Sequence, residues 1–133
     1  MHELRNSIME DEGLRLKLYK CPAKKWSIGY GRNLEDVGIY QEEALFMLDN
    51  SIHKASDCLM SLPLVKHLNH NRRRVCVEMI YNLGFSGFLG FRQMRKAIGS
   101  DDFERAAVEI LDSAAARDLP RRYLDFSDRM RKG

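Results

Sequence analysis

The stretch Met9–Gly31, MEDEGLRLKLYKCPAKKWSIGYG, contains the end of a helical pattern, a glycine and two segments of alternating residues. Leu4, Ile8 and Met9 recur at helical spacing, and Gly13 follows as a residue that accepts the left-handed geometry of a helix end. The pattern therefore predicts an amphipathic helix that ends just before Gly13.

Two strands are predicted to follow this helix. Leucines alternate with larger or charged residues over residues 14–19, and large apolar residues alternate with serine and glycine over residues 26–31. Such alternation is typical of half-buried strands. A proline discourages regular pairing in the connection, residues 21–25, so the sequence predicts a hairpin that returns Cys21 and Ser27 towards the helix.

Asp11 or Glu12 lies close to the edge of the apolar stripe of the predicted helix. A carboxyl group in such a place can be partly desolvated, which raises its pKa and keeps it protonated near neutral pH. Taken alone, the position also fits an ordinary surface carboxylate at a helix end. The sequence thus offers Glu12 as a candidate acid.

The run DEGLRLKLY followed by SIGYG resembles the catalytic segment of phage-type lysozymes, glycoside hydrolase family 24, and especially the T-even phage branch. In that family a Glu is followed at fixed spacings by Asp, or in some members Cys, and then by Thr. Here Glu12 is followed after eight intervening residues by Cys21, and after five more by Ser27. These are the family's spacings, with Cys in the place of the usual Asp and Ser in the place of the usual Thr.

Glycoside hydrolysis needs an acid for the leaving oxygen and a second group that traps or stabilises the oxocarbenium-like centre, or positions water. The resemblance implies the acid role for Glu12. Cys21, as a thiolate favoured by neighbouring lysines, can serve as a base or nucleophile, or it is an inert loop thiol. Ser27 holds a water, as the family's Thr is thought to do, or it is a strand residue without a role. Because serine has freer rotamers than threonine, we expect slower turnover than in a Ser27→Thr variant.

Three residues further along take their expected roles from the same resemblance. The segment YNLGFSGFLGF is similar to the one that lines the far side of the sugar-binding cleft, which implies substrate contacts for Asn82 and Phe91. Alternatively, GFSGFLGF forms tight turns whose aromatic residues fill the core. DLPRRY resembles a helix start whose arginine reaches back to the catalytic Glu, which implies Arg121, or Arg122 one residue on.

The remaining chain shows mainly helical periodicity. Residues 33–38 and 113–118 are predicted to be irregular, and Asp101 with Glu104 resembles a capping box. The predicted helices cover residues 41–61 and 72–83, a segment through Met94 and Ile98 to Gly99, a face made by Phe103, Ala106, Ala107 and Ile110, and a last helix that begins at Pro120 with Tyr123, Phe126 and Met130 inward.

The resemblance implies an α+β, mostly α, lysozyme-like fold in a single domain of 133 residues. We expect a small β-hairpin lobe at about residues 13–40, a bridging helix at 41–61, and a helical lobe at 62–133 that includes residues 1–12. The cleft between the lobes would bind the glycan.

The composition is that of an ordinary soluble protein, with 44% hydrophobic and 31% charged residues and a net charge of +3. This charge suits an anionic polymer, and nucleic acid, teichoic acid and peptidoglycan all qualify. Residues 72–74, three arginines, make a nucleic-acid binder an alternative. We expect no nucleic-acid partner, because the 19 acidic residues nearly balance the 22 basic ones and no nucleic-acid motif is present.

The three cysteines, Cys21, Cys58 and Cys76, are odd in number and form no C-x-x-C pair, which predicts free thiols in a reducing compartment. Cys76 lies in an apolar helical run and is expected to be a buried small hydrophobe. The four histidines follow no ligand pattern, and this chemistry needs no metal or cofactor, so none is expected.

As a whole, the resemblance implies a monomeric muramidase that cuts the β-1,4 bond between N-acetylmuramic acid and N-acetylglucosamine in peptidoglycan. No signal peptide or transmembrane run opens the sequence, so no membrane insertion is expected. We expect an endolysin that accumulates in the host cytoplasm and acts on the wall, in the periplasm, after a holin opens the inner membrane. Alternatively, the protein is a lysozyme carried by the virion.

A catalytically inert peptidoglycan-binding or structural relative is the alternative function, because Cys21 replaces the usual Asp. The sequence leaves open an inverting, retaining or transglycosylase outcome.

Overall fold

The structure, a computed structural model, describes every residue from Met1 to Gly133. It contains eight α-helices, a 3₁₀ helix and one three-stranded antiparallel sheet, which confirms the predicted α+β, mostly α class. The chain divides into two compact units, Met1–Met47 and Leu48–Gly133. The lobe boundaries expected from the sequence stay a prediction.

The first unit begins with helix α1, His2–Glu12, which ends as predicted at Gly13. Gly13 has a φ of 69°, and its N–H donates to the Met9 carbonyl over 2.9 Å. The sheet follows in the order β1, Arg15–Lys20, then β2, Trp26–Gly29, then β3, Arg32–Asn33. The predicted hairpin is therefore confirmed, and β3 is an addition.

Residues 33–38 are not irregular as predicted. Leu34–Val37 form a short helix, α2, because the Asn33 side chain accepts a hydrogen bond from the Asp36 backbone N–H over 3.1 Å. This bond is an N-cap, which satisfies one of the free N–H groups at a helix start.

The predicted burial of β1 is wrong. Leu14, Leu16 and Leu18 are 53%, 80% and 57% exposed, and α1 contains no buried residue. In β2 the expected alternation is reversed, since Ser27 is 1% exposed and Trp26 is 44% exposed. A unit this small has too little chain to cover both faces of an edge strand and a helix.

Helix α3, Gln41–Met60, is confirmed at its predicted place, and the boundary between the units falls within it. Ala55 and Leu59 are its buried residues, whereas Leu45 and Ile52 are exposed. The elements that follow are the 3₁₀ helix Pro63–His67, α4 His70–Leu89, α5 Arg92–Gly99, α6 Phe103–Leu111, α7 Ala114–Asp118 and α8 Pro120–Lys132.

The core of the second unit is built by α4, α5, α6 and α8. As predicted, Cys76 is fully buried, and the last helix begins at Pro120. Tyr123 and Phe126 make an edge-to-face contact with ring centroids 5.1 Å apart. The other fully enclosed apolar side chains include Val75, Met79, Phe88, Met94, Ile98, Ile110 and Met130.

Three local predictions in this unit are wrong. Residues 85–89 are helical rather than a set of tight turns, although α4 is interrupted at Gly84, whose φ is 75°. Residues 114–118 form α7 because the Ser113 hydroxyl accepts from the Ala116 N–H. The cap of α6 is Asp102 rather than Asp101, because the Asp102 carboxylate accepts from the Arg105 N–H over 3.0 Å.

None of the helices combines the length and the apolar character that crossing a bilayer requires.

Candidate active site

Glu12 is the last residue of α1, and its carboxylate lies directly over the backbone of Gly31. A Cβ atom built on Gly31 would meet Glu12 Oε2 at 2.5 Å and Cδ at 2.8 Å. Gly31 also has a φ of 78°, which disfavours any residue with a side chain. The Gly31 backbone, just before β3, therefore forms one wall of the place that Glu12 occupies.

The Glu12 side chain is exposed, contrary to the partial desolvation expected from the sequence. The cause lies in α1, where Leu4 is 62% and Ile8 is 44% exposed, so the apolar stripe near Glu12 does not exclude water.

Cys21 begins the turn between β1 and β2 and is half-buried. Its N–H donates to the Lys25 carbonyl over 3.0 Å, and its own carbonyl accepts from the Lys24 N–H over 2.7 Å. Lys24 has a φ of 62°, in the left-handed region that a tight turn requires here. The turn thus holds Cys21 at both of its backbone groups.

Ser27 lies in β2, paired with Tyr19 of β1, and is almost completely buried. Its hydroxyl donates to the Lys25 carbonyl over 3.2 Å. Cys21 and Ser27 therefore lie close together and share one acceptor, and their predicted return towards Glu12 stays a prediction. The water-holding role expected for Ser27 stays a prediction.

The surroundings of the Cys21 thiol lower its pKa below the ordinary value. The main cause is a hydrogen bond from the Lys25 backbone N–H, and the Ser27 hydroxyl adds to it, whereas partial burial opposes the change. Hydrogen bonds to the thiolate favour the charged form. The turn therefore shifts the Cys21 thiol towards its charged form, and its role in the reaction stays a prediction.

A second cluster in the same unit joins β3 to the start of α3. The Arg32 guanidinium forms an ion pair with Glu43 and lies 5.0 Å from the centroid of the Tyr40 ring. The Tyr40 N–H also donates to the Glu43 carboxylate, over 2.7 Å. Arg32, first of all, and the Tyr40 N–H hold the pKa of the Glu43 carboxyl below its ordinary value.

Beside this cluster lies a groove of about 660 Å³. Neither Glu12, Cys21 nor Ser27 lines it. Apolar side chains dominate its walls, which are formed by Ile28, Tyr30, Ile39, Phe46 and Met47 together with Gly29, Arg32, Glu42 and Glu43.

The other predicted site residues belong to the second unit. Asn82, on α4, is exposed, and its Oδ1 accepts a hydrogen bond from the Tyr123 hydroxyl over 2.7 Å. Phe91 is half-buried and immediately precedes α5, and Arg121 is exposed in the first turn of α8. Substrate contacts of Asn82 and Phe91, and pairing of Arg121 or Arg122 with Glu12, stay predictions.

The structure contains no group of three or more His, Cys, Asp and Glu side chains arranged to hold a metal ion.

The sequence of residues 9–119 matches the family Phage lysozyme. This match covers most of the chain, including the segment from Glu12 through the hairpin. The chain belongs to the phage lysozyme family. It is also similar to a protein named Endolysin from Acyrthosiphon pisum secondary endosymbiont phage 1, with 30% identity over 110 residues, 80% of this chain and 73% of the relative. The resemblance identified in the sequence and the lysozyme-like fold that it implied are thereby confirmed.

Two features of this phage lysozyme were not predicted from the sequence. Gly31 contacts Glu12 across the unit, a pairing that no local pattern indicates. Glu35 and Asp36 both bind the Lys25 ammonium, at 3.4 Å each. The Asn33-x-x-Asp36 spacing, similar to a helix-capping motif, is the signal that could have revealed α2 and its carboxylates.

Proposed function

We propose that this member of the phage lysozyme family is a muramidase with Glu12 as its general acid. It hydrolyses the β-1,4 bond between N-acetylmuramic acid and N-acetylglucosamine in peptidoglycan. Family membership supports a peptidoglycan-degrading glycosidase. The observation that supports the finer proposal is the position of the Glu12 carboxylate over Gly31, in the same unit as the Cys21–Ser27 turn.

In the proposed reaction, the Glu12 carboxyl donates its proton to the glycosidic oxygen as the bond to the N-acetylmuramic acid C1 breaks. Water adds its oxygen to that carbon, and its proton passes to a base. Glu12 is exposed in the free protein, so the bound glycan itself supplies the desolvation of the carboxyl group.

Cys21 fits the second role in two ways. As a thiolate it accepts the proton of the attacking water, or it attacks C1 directly and forms a thioglycosyl intermediate that water then hydrolyses. Its lowered pKa supports either form of participation. The Ser27 hydroxyl donates to the Lys25 carbonyl of the turn and also positions the attacking water.

The substrate is the glycan strand of peptidoglycan, bound by a monomer. Asn82 and Phe91 contact the sugars. No metal or cofactor takes part. The protein accumulates in the host cytoplasm and reaches the cell wall after a holin opens the inner membrane.

The clearing of outer-membrane-permeabilised cells, followed as loss of turbidity, tests this proposal. The wild type is expected to clear the suspension, and Glu12→Gln, which keeps the shape of the side chain but cannot donate a proton, is expected to lose at least about a hundredfold in rate. Glu3→Gln, on the same helix, is the matched control and should clear like the wild type. Cell-wall binding without clearing by the wild type would favour the inert relative instead.

A further inference from the structure

The peptide group between Lys25 and Trp26 connects the two candidate catalytic residues of the turn. Its carbonyl, that of Lys25, accepts the Cys21 N–H over 3.0 Å and the Ser27 hydroxyl over 3.2 Å. A small rotation of this single peptide would move both residues together, since each is bonded to the same oxygen.

Glu35, on α2, binds the opposite side of the same peptide. Its Oε1 accepts the Trp26 N–H over 3.4 Å, and its Oε2 accepts from the Lys25 ammonium over 3.4 Å. The Glu35 carboxylate therefore binds both the Trp26 N–H and the Lys25 side chain. Hydrogen bonds on both sides of a peptide polarise it and strengthen one another.

A helix cap holds the backbone next to Glu35. Glu35 lies in the first turn of the short helix α2. Asn33 caps that turn through the Asp36 N–H, and the Asn33 amide donates to the Asp36 carboxylate over 2.9 Å.

We propose that Glu35 is a positioning residue, which orients the Lys25–Trp26 peptide and through it both Cys21 and Ser27. This role rests on the proposed function, because it concerns the second group of the muramidase reaction. Glu35 itself touches neither Cys21 nor Ser27 and acts only through the peptide.

The geometry also explains how the Ser27 hydroxyl can serve two acceptors. It carries one proton, which points to the Lys25 carbonyl in the structure. When Cys21 ionises, the same hydroxyl can turn to the thiolate, while the Cys21 N–H still holds the Lys25 carbonyl. A peptide fixed by Glu35 keeps the hydroxyl within reach of both.

The charged groups of the hairpin and of α2 make the test discriminating. The hairpin supplies Lys20, Lys24 and Lys25, and α2 supplies Glu35 and Asp36. The Lys20 ammonium lies 4.7 Å from the Trp26 ring centroid, and Lys25 is paired with both carboxylates. Simple removal of a negative charge near a thiol favours the thiolate, whereas loss of positioned hydrogen-bond donors disfavours it. The two effects therefore have opposite signs.

The experiment measures the rate of Cys21 alkylation by iodoacetamide against pH, by mass spectrometry of the Cys21 peptide. In Glu35→Ala, the pH midpoint of alkylation is expected to rise by on the order of half a unit. Without Glu35 the Lys25–Trp26 peptide is less well held, and the Ser27 hydroxyl and the adjacent Lys25 N–H, which stabilise the thiolate, are less well positioned. Asp36→Ala is the matched control, since Asp36 also binds Lys25 but does not touch the Trp26 N–H. Its midpoint should stay or fall. Glu35→Gln, which can still accept from the Trp26 N–H, should restore most of the wild-type midpoint.

Turnover on purified peptidoglycan completes the test. Glu35→Ala is expected to lower kcat about three- to tenfold at an unchanged KM, the effect of one lost hydrogen bond. A midpoint in Glu35→Ala that stays or falls would overturn the positioning role. Because alkylation needs no glycan, this result is distinct from failure of the proposed function, in which the wild type would release no cleaved glycan at all.

Discussion

Gly31 is the residue that gives the candidate acid its place. Its missing side chain leaves room for the Glu12 carboxylate, and its positive φ sets the path of the chain into β3. Gly29 shares the positive φ, at 70°, but nothing lies within 4 Å of a Cβ placed there. A comparison of variants at Gly31 and Gly29 therefore separates the effect of backbone strain from the effect of contact with Glu12.

We predict that Gly31→Ala lowers lytic activity about ten- to a hundredfold, because the added methyl group displaces the carboxylate. Gly29→Ala should have a much smaller effect on activity. Both variants are expected to lose about 1 kcal/mol or more of unfolding free energy through backbone strain. Urea unfolding and turbidity assays measure the two effects, and equal activity losses in the two variants would contradict the assigned contact.

Cys76 gives a second prediction at this scale, since burial in α4 raises the pKa of its thiol to about 12. In the unfolded chain the thiol ionises near pH 8.5 to 9, so stability is fully present below that pH and is lost as pH rises towards the folded pKa. Between pH 8 and pH 10.5 this one group is expected to cost about 2 kcal/mol of unfolding free energy.

The Cys76→Ala variant isolates this contribution. It should be less stable than the wild type at pH 8, because of the small cavity, yet lose less stability on going to pH 10.5. Other groups with raised pKa values, such as Tyr123, are present in both proteins and cancel in the comparison. Parallel pH dependence in the two proteins would show that Cys76 does not ionise as a buried group.

Among the secondary-structure elements, α4 binds the end of α8 through Arg72. Arg72 Nε donates to the Met130 carbonyl over 2.7 Å and Nη2 to the Arg131 carbonyl over 3.0 Å. The same guanidinium lies 3.6 Å from the centroid of the Phe103 ring. It therefore satisfies carbonyls at the end of α8, where a cation also complements the helix dipole.

We predict that Arg72→Ala lowers the unfolding free energy by about 2 kcal/mol, from two charged hydrogen bonds and a cation–π contact. Arg74→Ala, an exposed neighbour on α4, is the control and should change it by less than about 0.5 kcal/mol. Thermal or urea unfolding makes the comparison. Equal losses in the two variants would show that Arg72 does not hold the end of α8.

The long elements could be predicted from the sequence because their periodicity and end signals agree. Gly13 ends α1, Pro120 begins α8, and the alternation of residues 14–19 and 26–31 gives the hairpin. The short helices α2 and α7 could not be predicted from periodicity, because single side-chain caps, Asn33 and Ser113, decide them.

The candidate site was predictable where spacing along the chain decides it. The predicted hairpin forms, and within it Cys21 and Ser27 share the Lys25 carbonyl as an acceptor. Two other contacts depend on how separate elements meet in space. They are the contact of Gly31 with Glu12 and the hydrogen bond of Glu35 to the Trp26 N–H. No local pattern carries that information.

At the scale of the whole molecule, the family match over residues 9–119 includes parts of both units. Glu12, Cys21 and Ser27 belong to the first unit, and Asn82 and Arg121 belong to the second. We propose that Glu12 supplies the proton for cleavage of the glycan. A test of it must identify the bond that is cut as well as the residue that cuts it.

The most direct measurement is mass spectrometry of the muropeptides released from purified peptidoglycan by the wild type, by Glu12→Gln and by Cys21→Ser. We predict products with reducing N-acetylmuramic acid from the wild type, their loss in Glu12→Gln, and a reduced yield from Cys21→Ser. Intact glycan strands after digestion with the wild type, or the same products from Glu12→Gln, would show that Glu12 is not the acid of a muramidase.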